Sequence, residues 1–90
     1  MKLQSFVKIL DNYRRQKILQ LLVEKDMSAS EIFKRLGDLS PKYRQSVNKS
    51  LDALENVGLV KKYYCSKNKS ILYHLLKESY SINLRDLVVE

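Results

Sequence analysis

One cysteine and one histidine, Cys65 and His74, are the only thiol and imidazole side chains that this chain contains. Structural zinc asks for four such side chains and a metal sensor for several, so neither a metal site nor a resident cofactor is expected. The same scarcity works against catalysis. There is no glycine-rich phosphate loop, and one His with one Cys leaves few ways to activate a nucleophile. The ten Asp and Glu residues are scattered, mostly beside lysines, and no pair stands out as a matched acid and base. The expectation is a protein that is not an enzyme. Long apolar runs are missing too: nothing approaches the roughly 18 residues of a membrane span. Residues 1–10 read as alternating polar and apolar positions rather than as a signal peptide, so the expected location is the cytoplasm and no membrane partner is expected.

Glycine and proline are nearly absent, at two and one in 90 residues, which predicts a mostly helical chain with short connections. Ninety residues suffice for one modest core and not for two domains with a cleft between them, so residues 1–90 are read as a single domain. Positive charge, in contrast, is plentiful. Seventeen Lys and Arg stand against ten Asp and Glu, giving a formal charge of +7 and a pI near 9.6. That excess favours a polyanionic partner over an acidic small molecule, although basic surfaces also serve RNA and membranes.

The pattern of apolar residues then predicts the elements. Leu3, Phe6, Val7 and Leu10 fall at i, i+3, i+4 and i+7, one stripe of an amphipathic helix that Asp11 or Asn12 ends. Either of these can cap a second helix from 13 to about 25, with Ile18, Leu19, Leu21, Leu22 and Val23 as its buried face. Ser28 and Glu31 have capping-box spacing before a short helix over 29–36, which Gly37 stops. Ser40 and Pro41 form a cap and first-turn proline for a longer helix that runs to Asn56, with Gly58 at its stop. A short helix, a tight turn and a longer helix make the skeleton of a helix-turn-helix. Beyond Gly58, residues 59–65 and 70–76 are rich in Val, Tyr, Ile and Leu around the polar stretch 66–69, which predicts a β-hairpin. Its Ile71, Tyr73 and Leu75 share one face by the period of two, and that face is placed against the core. Tyr63, Tyr64 and Tyr73 read as strand packing residues, His74 as solvent-facing, and Cys65 as a small strand side chain, with an intersubunit disulfide left open. Leu84, Leu87 and Val88 fall at helical spacing in a tail too short to be stable alone, which must therefore dock.

With Val47 set inward, Tyr43, Leu51 and Leu54 lie on its side of the long helix, while Lys42, Gln45 and Lys49 lie opposite. Ser46 and Asn48 flank that polar, positive face, and Arg44 stands at the core edge within reach of a phosphate. Gln and Asn can pair bidentately with adenine, and Lys and Arg with phosphate, so this face is the candidate reader of duplex DNA. Asp52 and Glu55 come later in the helix, which points its N-terminal half toward the major groove. The hairpin adds Lys61, Lys62, Lys67 and Lys69, with Asn68 at the tip, as backbone or minor-groove contacts. Residues 40–70 hold seven Lys or Arg against two acids, so most of the net charge sits in these two elements.

The block SLDALENVGLVKKYY at 50–64, with RRQKILQLL at 14–22, SASEIFKRLG at 28–37 and LYHLL at 72–76, resembles winged helix-turn-helix transcription regulators of the ArsR and MarR groups. The resemblance implies a mainly α fold with a small β-hairpin wing (α+β), binding double-stranded DNA. Two features depart from it. The segment from Gly37 to Val47 is longer than usual in these groups, and the Cys and His clusters of the metal sensors are missing. The expected function is a sequence-specific transcriptional regulator, acting as a homodimeric repressor because no separate activating segment is seen. An architectural DNA-binding protein and a winged-helix protein-interaction module are the alternatives. The expected dimer contact uses Leu3, Phe6, Val7 and Leu10 in 1–11 and Leu84, Leu87 and Val88 in the tail 80–90.

Overall fold

The computed structural model describes residues 1–37 and 44–90. The first helix, α1 (Leu3–Leu10), ends at Asp11, whose backbone N–H donates to the Val7 carbonyl at 2.9 Å. Asn12 then caps α2 (Tyr13–Glu24), its Oδ1 accepting the Arg15 N–H at 3.1 Å. The open carbonyls at the end of α1 are met from α2: Gln16 donates to Leu10 at 2.7 Å and Arg15 to Ile9 at 3.3 Å. These bonds lock the two helices together while Ile18, Leu21 and Leu22 of α2 enter the core. Leu19 is half-buried, and Val23, expected inside, is exposed at the edge of the face.

Ser28 caps α3 (Ala29–Arg35) through an Oγ that accepts the Glu31 N–H at 3.2 Å. The Glu31 carboxylate pairs with Lys25 at 3.0 Å instead of completing a capping box. Gly37 follows at φ +58, a left-handed turn that costs glycine little. The expected Ser40–Pro41 cap and the extended stretch before Val47 lie largely outside the described residues. From there on α4 (Arg44–Asn56) runs to Gly58, which turns the chain at φ +82.

Two antiparallel strands, β1 (Val60–Cys65) and β2 (Ser70–Leu75), form the expected hairpin in a register from Val60↔Leu75 to Cys65↔Ser70. Met27, in the link between α2 and α3, pairs with Tyr73 through two backbone hydrogen bonds of 2.8 and 3.3 Å, so the hairpin is stitched to the body. Of the face expected inside, Tyr73 is buried and Leu75 half-buried, but Ile71 is 49% exposed because the hairpin projects past the body at its tip. Leu72, on the other face, is buried.

The tail does not form a helical segment despite its spacing. It is a miniature hairpin of β3 (Ile82–Asn83) and β4 (Val88–Val89). Asn83 Oδ1 accepts the N–H groups of Arg85 and Asp86 at 3.0 and 3.2 Å, a side-chain turn that competes with helix formation, and Leu87 closes the turn at φ +54. The hairpin clips onto the N-terminus: Val89 N–H donates to the Met1 carbonyl at 2.7 Å and Leu3 N–H to the Leu87 carbonyl at 2.8 Å. Val89 is buried there.

A side-chain cluster fastens the base of the wing. Asp26, next to Met27, accepts the Tyr63 hydroxyl on Oδ2 at 2.5 Å and faces His74 Nδ1 with Oδ1 at 2.7 Å. Burial alone would raise the Asp26 carboxyl, but the hydrogen bonds from Tyr63 and His74 and the charge of His74 outweigh it and hold the group below its ordinary 3.8. The Tyr63 phenol is pushed up to about 12, chiefly by its hydrogen bond to Asp26.

Two outcomes follow for stability. Leu51 is fully buried and Tyr13 is 75% exposed. Leu51→Ala should cost about 2–5 kcal/mol in urea unfolding and Tyr13→Ala no more than about 0.5 kcal/mol. Because the folded Asp26 pKa is depressed, its contribution is complete above 3.8 and lost as pH falls through the lower folded value. The stability advantage of the wild type over Asp26→Asn should therefore shrink as the pH falls from about 5 to about 3. An advantage that is unchanged across that window would exclude the depressed carboxyl.

Candidate nucleic-acid interface

The orientation of α4 is set by what it buries. Val47, Leu51 and Leu54 are fully enclosed and Ser50 nearly so, which leaves Gln45, Asn48, Lys49 and Asp52 as the exposed stripe at i, i+3, i+4 and i+7. Of the residues expected to meet DNA, Gln45, Asn48 and Lys49 thus share one solvent face and Ser46 lies half-buried beside it. Lys42 lies outside the described residues. Arg44 is exposed at the other edge, its guanidinium 5.7 Å from the centre of the Phe33 ring, so α3 steadies the first described turn of α4.

The two acids of α4 are disposed differently. Asp52 shares the exposed stripe but lies two turns beyond Gln45. Glu55 turns to the wing: its carboxylate accepts the Lys62 backbone N–H at 3.3 Å and stands 3.9 Å from Lys62 Nζ. Lys62 is therefore partly neutralised within the protein and joins α4 to β1. Tyr73, beneath this corner, is pushed up in pKa first by burial and then by the charges of Asp52 and Glu55, and stays a neutral phenol.

Lys61 is exposed on β1, and Lys67, Asn68 and Lys69 are exposed in the turn that joins the strands. Lys69 sits at φ +53, and neither Lys67 nor Lys69 forms an ion pair with a described residue. The wing tip is thus a pair of exposed cations on a backbone projection, while the α4 face is a set of amides and one ammonium on an anchored helix. Sequence reasoning missed the tip's apolar component. Tyr64 and Ile71 are cross-strand partners and are 65% and 49% exposed. The counted register of a hairpin with a four-residue turn could have placed that pair beyond the body. Tyr63 also departs from simple packing, since its hydroxyl serves Asp26. His74, expected to face solvent alone, is the third member of that cluster.

The residues expected at a dimer contact separate into two groups. Phe6 and Leu10 pack on the protein's own core, Phe6 with its ring centre 5.3 Å from that of Tyr80. Val7, Leu84 and Leu87 are more than half exposed, with Leu3 and Val88 half-buried between α1 and the tail. Cys65 is a free, half-buried thiol. Among the described residues no three His, Cys, Asp or Glu side chains gather as a metal-binding group, and no helix is long and apolar enough to cross a membrane.

No family model matches the chain, and no curated protein matches it significantly. Among solved structures, an ArsR-like transcriptional regulator from Rhodococcus sp. RHA1 is similar: 34% identical, with a TM-score of 0.65 over 82% of this chain and 64% of that one. The chain therefore spans just under two thirds of that regulator's length. Its four helices and antiparallel hairpin agree with this likeness, and the chain is an ArsR-like winged helix-turn-helix protein.

Proposed function

We propose that the chain is a sequence-specific regulator of transcription that binds double-stranded DNA as a cytoplasmic homodimer and represses by covering a promoter. The observation that carries this reading is the exposed stripe of Gln45, Asn48 and Lys49 on a helix whose opposite side is wholly enclosed. Amides held on a rigid helix suit base edges, and the lysines of the wing suit phosphates. Repression by occlusion asks nothing beyond tight binding over the promoter, and no catalytic step or cofactor enters it. Residues 1–90 act as one binding unit, with 1–11 and 80–90 in the dimer contact. Val7 and Leu87 support that contact as apolar side chains left in solvent beside each other's elements. Paired recognition helices then meet half-sites about 34–36 Å apart.

Two measurements test the reading. Gln45→Ala and Asn48→Ala should each cost about 1–3 kcal/mol on a duplex selected from a random pool and much less on random DNA. Removing Lys67 or Lys69 should weaken both duplexes by similar factors and flatten the slope of log affinity against log salt by about 0.9 per lost phosphate contact. Equal losses on both duplexes from all four substitutions would leave an architectural DNA-binding protein in place of a sequence-specific one. For the dimer, Val7→Asp should turn a sedimenting dimer into a folded monomer. A wild-type protein that is monomeric at micromolar concentration, and unchanged by this substitution, would remove the homodimer.

A further inference from the structure

The two sides of the hairpin meet different parts of the protein. Residues directly opposite each other in an antiparallel pair point to one side, so Lys62 and Tyr73 share a side with Tyr64 and Ile71, while Tyr63 and Leu72 share the other with Lys61 and His74. The second side is turned to the link before α3, where Asp26 takes up Tyr63 and His74. The first is turned to α4: the Lys62 ammonium stands 3.9 Å from Glu55, and the charges of Asp52 and Glu55 bear on Tyr73. On the helix, Asn48, Asp52 and Glu55 fall at i, i+4 and i+7, so the Asn48 edge of the exposed stripe is the edge nearest the wing. Tyr64 and Ile71 lie one rung beyond Lys62 and Tyr73, roughly 7 Å further toward the tip, and continue the same side past the body. Both are exposed. An aromatic and a branched aliphatic side chain left side by side in water forgo the burial that each could gain. Their surroundings favour a polyanion as the partner that covers them, because residues 60–75 contain four lysines and no Asp or Glu.

We propose that Tyr64 and Ile71 form an uncharged contact to the backbone of double-stranded DNA, the Tyr64 ring and Ile71 lying against deoxyribose and the Tyr64 hydroxyl donating to a phosphate. The proposal rests on the DNA-binding reading above and adds to it a component that salt does not screen. Tyrosine suits the task, having an apolar body for the sugar and a polar tip for the phosphate oxygen. Deoxyribose presents the same surface at every step of a duplex, so the contact is blind to sequence. Its place on the α4 side of the wing seats one strand in the angle between the hairpin and the Asn48 edge of the helix. Tyr63 has no such role, because its hydroxyl is held by Asp26 on the other side.

The test measures affinity across a salt series for the full chain and for Tyr64→Ala, Tyr64→Phe, Ile71→Thr and Lys67→Ala, with unfolding curves confirming that each variant is folded. The probes are a duplex selected from a random pool, a random duplex, and the separated strands of the first. Tyr64→Ala should weaken both duplexes about tenfold, and Tyr64→Phe about threefold through the loss of one hydrogen bond. Ile71→Thr, which keeps the branched β-carbon, should also weaken both by about threefold. Neither residue neutralises a phosphate, so these three variants should keep the wild-type slope of log affinity against log salt, whereas Lys67→Ala flattens it. Full affinity in Tyr64→Ala and Ile71→Thr, beside a loss in Lys67→Ala, would overturn this contact and leave DNA binding standing. A wild type that binds neither duplex at low salt would overturn both. A loss confined to the selected duplex, or separated strands bound more tightly than the duplex, would replace the backbone contact with contact to bases. A change in the sedimentation of the DNA-free protein on Tyr64→Ala would make the pair a contact between copies of the chain and overturn its assignment to DNA.

Discussion

The burial of one stripe of α4 is the constraint on which the rest of the protein depends. Val47, Leu51 and Leu54 are fully enclosed against α2, α3 and the first residues of the wing. Each carries about 1.5–3 kcal/mol of transfer free energy, which competes with the entropy of fixing the helix. Turning α4 by one residue would put Asn48 and Asp52 where Val47 and Leu51 now lie, trading apolar contact for an unpaired amide and an unpaired carboxylate. The helix has no other acceptable orientation. Because side chains recur every 3.6 residues, that same choice sends Gln45, Asn48 and Lys49 to the solvent face. That exposed face is therefore specified by the core and needs no contacts of its own.

The wing obeys a different logic. Its base is held on three sides: by the backbone pairing of Met27 with Tyr73, by the Asp26 cluster, and by Glu55 reaching the Lys62 N–H. Its tip is held by the hairpin alone. Lys67 and Lys69, placed there, form no ion pair with a described residue. The arrangement also explains why Lys62 differs from Lys67 and Lys69: its charge is shared with Glu55, and part of its work is structural.

The elements with strong local signals were legible in the residues. Asn12, Ser28, Gly37 and Gly58 mark helix ends by the chemistry of caps, and each stands where the structure turns. The hairpin announced itself by its β-branched and aromatic strands around a polar turn. What stayed hidden was either non-local or ambiguous in period. Asp26 meets Tyr63 and His74 across 37 and 48 residues, and no local pattern links them. Ile9 is buried although it lies outside the counted stripe of α1, because the tail and α2 cover that helix from two directions. Leu84, Leu87 and Val88 have helical spacing by coincidence. A turn of four residues between two short strands spaces side chains similarly, and Asn83 decides for the turn by bonding to the backbone ahead of it.

That turn leaves Leu87 at φ +54, a conformation that costs a β-carbon residue roughly 1–2 kcal/mol, with its side chain more than half in solvent. The carbonyl of the same residue accepts the first N–H of α1, and Val89 bonds to Met1. The strain is thus coupled to a clip that closes the chain on itself and caps a helix whose N-cap residue, Lys2, supplies no side-chain bond. Its consequence is a division of α1 into two working faces. Phe6 and Leu10 look inward, Phe6 onto Tyr80, while Val7 looks outward beside Leu87. A helix of eight residues is too short to be stable by its own propensity, so both faces are held in place by the clip and by the bonds from α2. Loosening the tail would release the inward and the outward face together, which makes the last ten residues part of each.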